Sequence, residues 1–350
     1  MNIFSFKLFL LSLLLSCPHI FIYGQERADQ TLKLSTELVV LDAQVLNKKT
    51  GGVIGDLKKE DFSIYEDGVR QQITHFSQDK LPLSILLLID TSGSVWHVMD
   101  DMRERTIEAL NHLKETDEVA VMATASRTAV IQDFTKDKEL IARKISTFDK
   151  KALGWDGILL HEALYQAASY MGRASNPASR RVIVVVTDNI STQKIGRGHS
   201  EKEALDELYE AGSVVCGLNV GNINSTVLKL DPVYYALKGI LFRGDINSYA
   251  EKTGGMVLKS KREELDKYLS EMIDRLRTRY AIGYVSTNPL QDGKFRKIKI
   301  SLSKDVEQRE GKLDILTRRG YYAKKNAPTD ENKAQKPEIM NKATKKEDRR

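Results

Sequence analysis

Two cysteines in 350 residues leave little scope for disulfide chemistry. Cys17 lies in an apolar leader and Cys216 lies inside an apolar run, so a chain that has lost its leader forms no intramolecular disulfide. Cys216 reads as a small buried hydrophobe, not a reactive thiol. A strong charge of one sign is also missing. The net charge is +6, but residues 324–350 hold nine Lys/Arg against five Asp/Glu and Lys7 adds one more, which leaves about +1 for residues 25–323. Readers of nucleic acid carry a basic face, so no nucleic-acid partner is expected. There is no internal repeat, and no Ser, His and Asp set is ordered as a hydrolase would need. What remains, with 41% hydrophobic and 29% charged residues, is a soluble globular chain long enough to rely on its own core.

The ends stand apart from that core. Lys7 precedes the apolar stretch 8–15, a short positive start and a hydrophobic centre that read as a secretory signal peptide, with cleavage expected after Gly24. Two alternatives stay open. Leu14-Leu15-Ser16-Cys17 resembles a lipobox, which would make the protein a lipoprotein at Cys17, and residues 4–23 are nearly long enough to serve as an uncleaved anchor. The expected location is periplasmic or extracellular. The tail, residues 324–350, lacks apolar periodicity and aromatic residues, so disorder is predicted; it reads as a solubilising end, with weak contact to an anionic surface as the alternative.

The most informative stretch is residues 85–94. Ile85-Leu86-Leu87-Leu88-Ile89 is continuously apolar, as in a buried parallel strand, and it ends at Asp90-Thr91-Ser92-Gly93-Ser94. Asp90, Ser92 and Ser94 offer hard oxygen donors, which suit Mg²⁺ or a similar cation and not a soft metal. A second run, Val182 to Val186, ends at Thr187-Asp188. Taken alone, Asp90 and the serines fit better as caps of the helix that follows. Around these runs, strand-like and helix-like stretches alternate from 83 to 277, which argues for a parallel-rich sheet with helices on both faces. The flanks, 34–77 and 280–317, read as strands alone. They are predicted to meet in space as one β module with the core inserted between them; separate appendages are the alternative.

The Asp-x-Ser-x-Ser pattern, with Asp188 ending a later strand, resembles the metal-ion-dependent adhesion site of von Willebrand factor A-type domains. Flanking residues resemble the bacterial secreted branch of that family: Leu57-Lys58-Lys59-Glu60-Asp61-Phe62 with Glu66-Asp67-Gly68-Val69-Arg70-Gln71 before the core, and Arg279-Tyr280-Ala281-Ile282-Gly283-Tyr284, Gly293-Lys294-Phe295-Arg296-Lys297-Ile298 and Gly320-Tyr321-Tyr322 after it. The resemblance covers roughly residues 34–323. It implies an α/β, Rossmann-like sandwich with a mostly parallel central sheet, flanked by the small antiparallel β module. The expected divisions are 1–24 signal peptide, 31–80 N-terminal β segment, 81–278 α/β domain, 279–323 C-terminal β segment and 324–350 tail.

The resemblance also implies that Ser92 and Ser94 bind Mg²⁺ or Mn²⁺ directly, that Asp90 and Asp188 bind partly through water, and that a partner's carboxylate completes the coordination. One position departs from the family pattern. Ile158, in Gly157-Ile158-Leu159-Leu160, stands where the family carries a threonine; Asp156 is the candidate substitute, although it fits equally as a helix cap. Asn189 stands where glycine is common, and Trp96, His97 and Trp155 are candidates for a ligand rim or for packing. The predicted function is non-enzymatic: an exported binding or adhesion module for a protein that presents an acidic side chain. The alternatives are a structural envelope protein with a vestigial site and a Mg²⁺-dependent phosphoryl hydrolase.

Overall fold

The computed structural model describes residues 38–154, 157–189, 192–194, 198–220, 240–242 and 245–325. The expected signal peptide, Cys17, Trp155, Asp156 and all but the first two residues of the tail lie outside them. The N-terminal segment forms β1 (Leu38–Asn47), β2 (Val53–Ile54), β3 (Phe62–Glu66), β4 (Val69–Gln71) and β5 (Ile73–Ser77). β4 and β5 are divided only at Gln72.

The core follows, starting with β6 (Leu83–Asp90), α1 (Met99–Ala109), β7 (Glu118–Thr124), β8 (Thr128–Thr135), α2 (Lys138–Thr147) and α3 (Leu160–Tyr170). It continues with β9 (Arg180–Thr187), β10 (Thr192–Lys194), α4 (Glu201–Glu210), β11 (Val214–Asn219), β12 (Ile240–Phe242), α5 (Ile246–Thr253), β13 (Val257–Lys259) and α6 (Leu265–Arg277). Its sheet has the order β13-β11-β9-β6-β7-β8. Every pairing is parallel except β7 with β8.

β6 shows why such a run makes a central strand. All eight of its residues are buried. Leu83, Ile85, Leu87 and Ile89 pack on one face with Met99 and Met102 of α1, Ile141 and Ile145 of α2, and Leu269, Met272 and Leu276 of α6. Leu86 and Leu88 pack on the other with Leu160 and Leu164 of α3, Leu208 of α4 and Tyr249 of α5. The period of two along a strand sends alternate side chains to opposite faces, so a strand covered on both faces is apolar through its middle, here Ile85–Ile89, with the polar Ser84 and Asp90 near its two ends.

The chain then returns to strands: β14 (Tyr280–Val285), β15 (Phe295–Leu302), β16 (Leu313–Leu316) and β17 (Gly320–Tyr322), with α7 (Lys304–Glu310) after β15. The two flanks do join. β1 pairs antiparallel with β14 from Leu38↔Val285 to Ala43↔Tyr280, and β3 pairs with β15 from Phe62↔Leu302 to Glu66↔Ile298. One sheet has the order β16-β1-β14-β5 with β2 beside β1, and the other β17-β15-β3-β4. Leu41, Phe62, Ile64, Tyr280, Ile282 and Ile300 share one apolar cluster with residues of both flanks. The α7 helix was not anticipated: only Val306 of its seven residues is buried, too little for a periodic pattern. Among the described residues no helix is long and apolar enough to cross a membrane.

Candidate metal centre

The strand order places Asp90 and Asp188 together. From β6 the chain moves outward to β7 and β8, then β9 returns to the other side of β6. The connections leaving β6 and β9 therefore diverge, which opens a crevice at the carboxyl ends of these two strands, the usual ligand position in open α/β sheets. The two strands pair through Ile89↔Val186, so Asp90 and Asp188 follow at neighbouring tips.

Asp90 is fully buried. Its Oδ1 accepts the Ser92 N–H at 2.9 Å and its Oδ2 accepts the Thr187 hydroxyl at 2.7 Å. Burial first, and then repulsion from Asp188, raise its pKa to about 7, although hydrogen bonds from Ser92 and Thr187 act to lower it. Each of these stabilising groups is neutral; no basic side chain is among them. Thr91 faces the other way, and both its N–H and its hydroxyl donate to the Thr124 carbonyl, at 2.8 and 3.1 Å, which ties the motif to the tip of β7.

The Ser92 side chain does not cap the helix that follows. The motif leads into a 3₁₀ segment, Gly93–Val98, before α1, so regular α-helix starts six residues later than a direct cap requires. Ser92 occupies the N-cap position, yet its side chain makes no cap hydrogen bond. Its Oγ instead lies 3.1 Å from Ser94 Oγ. Two hydroxyls and two acids thus gather at one tip, all hard oxygen donors. A buried, repelled carboxylate with no basic partner among the described residues is one that a divalent cation would stabilise, so these residues fit Mg²⁺ or Mn²⁺. Among the described residues no three His, Cys, Asp or Glu side chains group so as to hold a metal ion.

Ile158 contributes nothing to the set. It is 1% exposed and belongs to the apolar cluster of Leu86, Leu160 and Ile183. Asp156 lies outside the described residues. Trp96 packs partly buried against the α1–α6 face, with Lys151 Nζ 6.0 Å from its ring centre, which is a packing role. The His97 side chain also lies outside the description.

The sequence reading missed Thr187, and it noted Asn189 without the bonds that it makes. Thr187 holds Asp90 across strands, and only the register of β6 against β9 shows it. Asn189 adopts a left-handed backbone with φ 61°, a conformation asparagine tolerates better than most residues. Its Nδ2 donates to Asp245 Oδ1 at 3.0 Å and its Oδ1 accepts the Ile246 N–H at 3.0 Å, so it fastens the Asp188 loop to the start of α5.

Residues 85–191 match the model described as von Willebrand factor type A domain. No curated protein matches the chain. Among solved structures, BatB from Bacteroides thetaiotaomicron aligns at 15% identity over 55% of this chain and 98% of its own, with a TM-score of 0.41. The PilB minor pilin from Streptococcus sanguinis aligns at 14% identity over 58% and 63%, with a TM-score of 0.40. Proximal thread matrix protein 1 from the mussel byssus, with a zinc-occupied MIDAS motif, aligns at 15% identity over 61% and 50%, with a TM-score of 0.41. The matched residues run from β6 through the tip of β9, and over that stretch the chain is similar to a von Willebrand factor type A domain.

Proposed function

We propose that this protein is an exported binding module that engages an acidic group on a protein partner through a divalent cation, Mg²⁺ or Mn²⁺. The observation that carries the reading is the grouping of Asp90, Asp188, Ser92 and Ser94 at the divergence of two strand tips, with Asp90 pushed to about 7 and stabilised only by neutral groups. Bound there, the cation would supply an incompletely neutralised positive charge for an anionic ligand. Asp90 and Asp188 supply the opposing charge, and Ser92 and Ser94 set the position through their facing hydroxyls. Thr187 and Asn189 hold the acids in place.

Binding is favoured over phosphoryl transfer by the state of Asp90. An attacking carboxylate needs an accessible oxygen, whereas Asp90 is fully buried with both oxygens occupied. A second reading, an envelope scaffold with a vestigial site, draws on Ile158, whose buried side chain removes one oxygen donor.

Pull-down from envelope extract with the full chain separates the two. Adhesion expects a partner recovered in Mg²⁺, lost in EDTA and lost with Asp90→Ala. Recovery indifferent to chelator and to Asp90→Ala would rule out the metal-mediated mode and support the scaffold.

A further inference from the structure

Far from the strand tips, the other end of the α/β sheet meets the β module, and there the buried polar groups are poorly matched. Arg180, at the start of β9, donates Nε to Asp42 Oδ1 at 2.9 Å and its other nitrogens to the carbonyls of Leu276, Arg277 and Arg279. Arg279 is 1% exposed, and its Nη2 donates to the Gly254 carbonyl. Its Nε and Nη1 are sealed from solvent and have no partner among the described residues. The same is true of Arg318 Nε, Thr317 Oγ1 and Ser213 Oγ.

Two of these residues, Ser213 and Arg318, line one cavity. Gly254 lies against the backbone of Thr317 and Arg318 so closely that a Cβ would meet Thr317 C at 2.4 Å. Beside it is a cavity of about 60 Å³ lined by Asp42, Ser213, Thr253 and Arg318 among others. Ser213 is 5% exposed, so its unpartnered hydroxyl is held in the interior. The charges do not balance either. Asp42 is bonded to Arg180 and is the carboxylate acting on both Arg279 and Arg318, which leaves three guanidinium groups to one acid.

Unpaired buried donors are costly, and an excess of buried cationic groups is costlier. A water molecule satisfies donors but leaves the charge. An anion does both. We propose that this cavity is a binding site for a small inorganic anion, held by Arg318 Nε and Ser213 Oγ in the field of Arg279 and Arg180. The bound anion joins the α4–β11 turn to the strand-linking segment 317–319, so it fastens the β module to the α/β sheet.

The test is thermal melting of the full chain in EDTA, which silences the metal centre, at constant ionic strength. Gluconate, too large for the cavity, is exchanged for chloride or for phosphate, and the two arms separate a halide from an oxyanion. A saturable rise is expected with one or both, about 5 °C at a hundredfold excess over Kd.

Ser213→Ala gives the decisive pattern. In gluconate it should melt no lower than the wild type, because it removes an orphaned donor. In the binding anion it should melt lower, with affinity about tenfold to a hundredfold weaker. Arg318→Gln should abolish the saturable rise; if that variant does not fold, Ser213→Ala together with chloride-35 line broadening, relieved by phosphate, decides the matter. Identical melting of the wild type in all three anions would mean that the cavity holds water only. An equal rise in wild type and Ser213→Ala would mean a general salt effect. Either result overturns the proposal.

Discussion

Asp90→Asn, studied without metal, probes the charge deficit directly. Asparagine keeps the size of the side chain and an oxygen to accept the Ser92 N–H, but it cannot ionise. In the folded wild type the carboxyl holds its proton to about pH 7, whereas an exposed aspartate releases it near 3.8. Between these values folding takes up a proton. The raised folded-state pKa therefore stabilises fully below 3.8, and that contribution is lost as pH rises through about 7. At about 1.4 kcal/mol per pH decade, the gap is on the order of 4 kcal/mol. That is a large part of the 5–15 kcal/mol (roughly) that holds a domain together.

The assay is urea denaturation in EDTA from pH 4 to pH 9. Wild type and variant should be close near pH 4. The variant should then gain until, above pH 7, it leads by several kcal/mol. Saturating Mg²⁺ should restore the wild type, by about 2.7 kcal/mol at a hundredfold excess over Kd, and leave the variant unmoved. A difference between the two proteins that stays flat across the pH range would refute the argument that burial and Asp188 destabilise the Asp90 carboxylate.

Ile158→Thr should destabilise by about 1–3 kcal/mol in urea, because a hydroxyl replaces an alkyl group in the cluster of Leu86 and Leu160; tighter Mg²⁺ binding by titration calorimetry would show instead that residue 158 reaches the centre. Asp117→Ala should cost about 3–5 kcal/mol, since the buried Arg277 guanidinium, now bonded to both Asp117 oxygens, would lose its counter-ion; a loss below about 1 kcal/mol, the usual worth of an exposed pair, would contradict the burial. Gly255→Ala should lower the melting temperature sharply or abolish folding, because its Cβ would lie 1.8 Å from the Val215 carbonyl oxygen; near-wild-type melting would count against this packing of β11 and the turn after α5.

The central sheet was legible because β6 and β9 are buried on both faces. Physics then demands a continuous apolar run, and each run stops abruptly at an acid where the strand leaves the core. The flanking strands were legible by alternation, and Phe62 and Ile64 facing inward with Ser63 and Tyr65 between them show the reason. The site was legible only as far as its chemistry is local. Asp90, Ser92 and Ser94 lie within five residues, so their oxygens were readable as a group. Thr187 is 97 residues from the acid it holds, and Asp245 is 56 from Asn189; neither pairing has a signature along the chain.

Ile158 marks the boundary between the two kinds of information. Its lack of a donor atom is plain in the sequence, but the consequence depends on which way the side chain points. Turned toward the crevice, an isoleucine would spoil a metal centre by obstruction. Buried among Leu86, Leu160 and Ile183, it merely withholds a ligand and stabilises the apolar layer beneath the sheet. Among the described residues, the acids and hydroxyls at the strand tips are then the oxygen donors offered to the proposed cation. Its occupancy would turn on how much divalent cation the surroundings supply, since a cation held by fewer protein oxygens depends more on water to complete its shell.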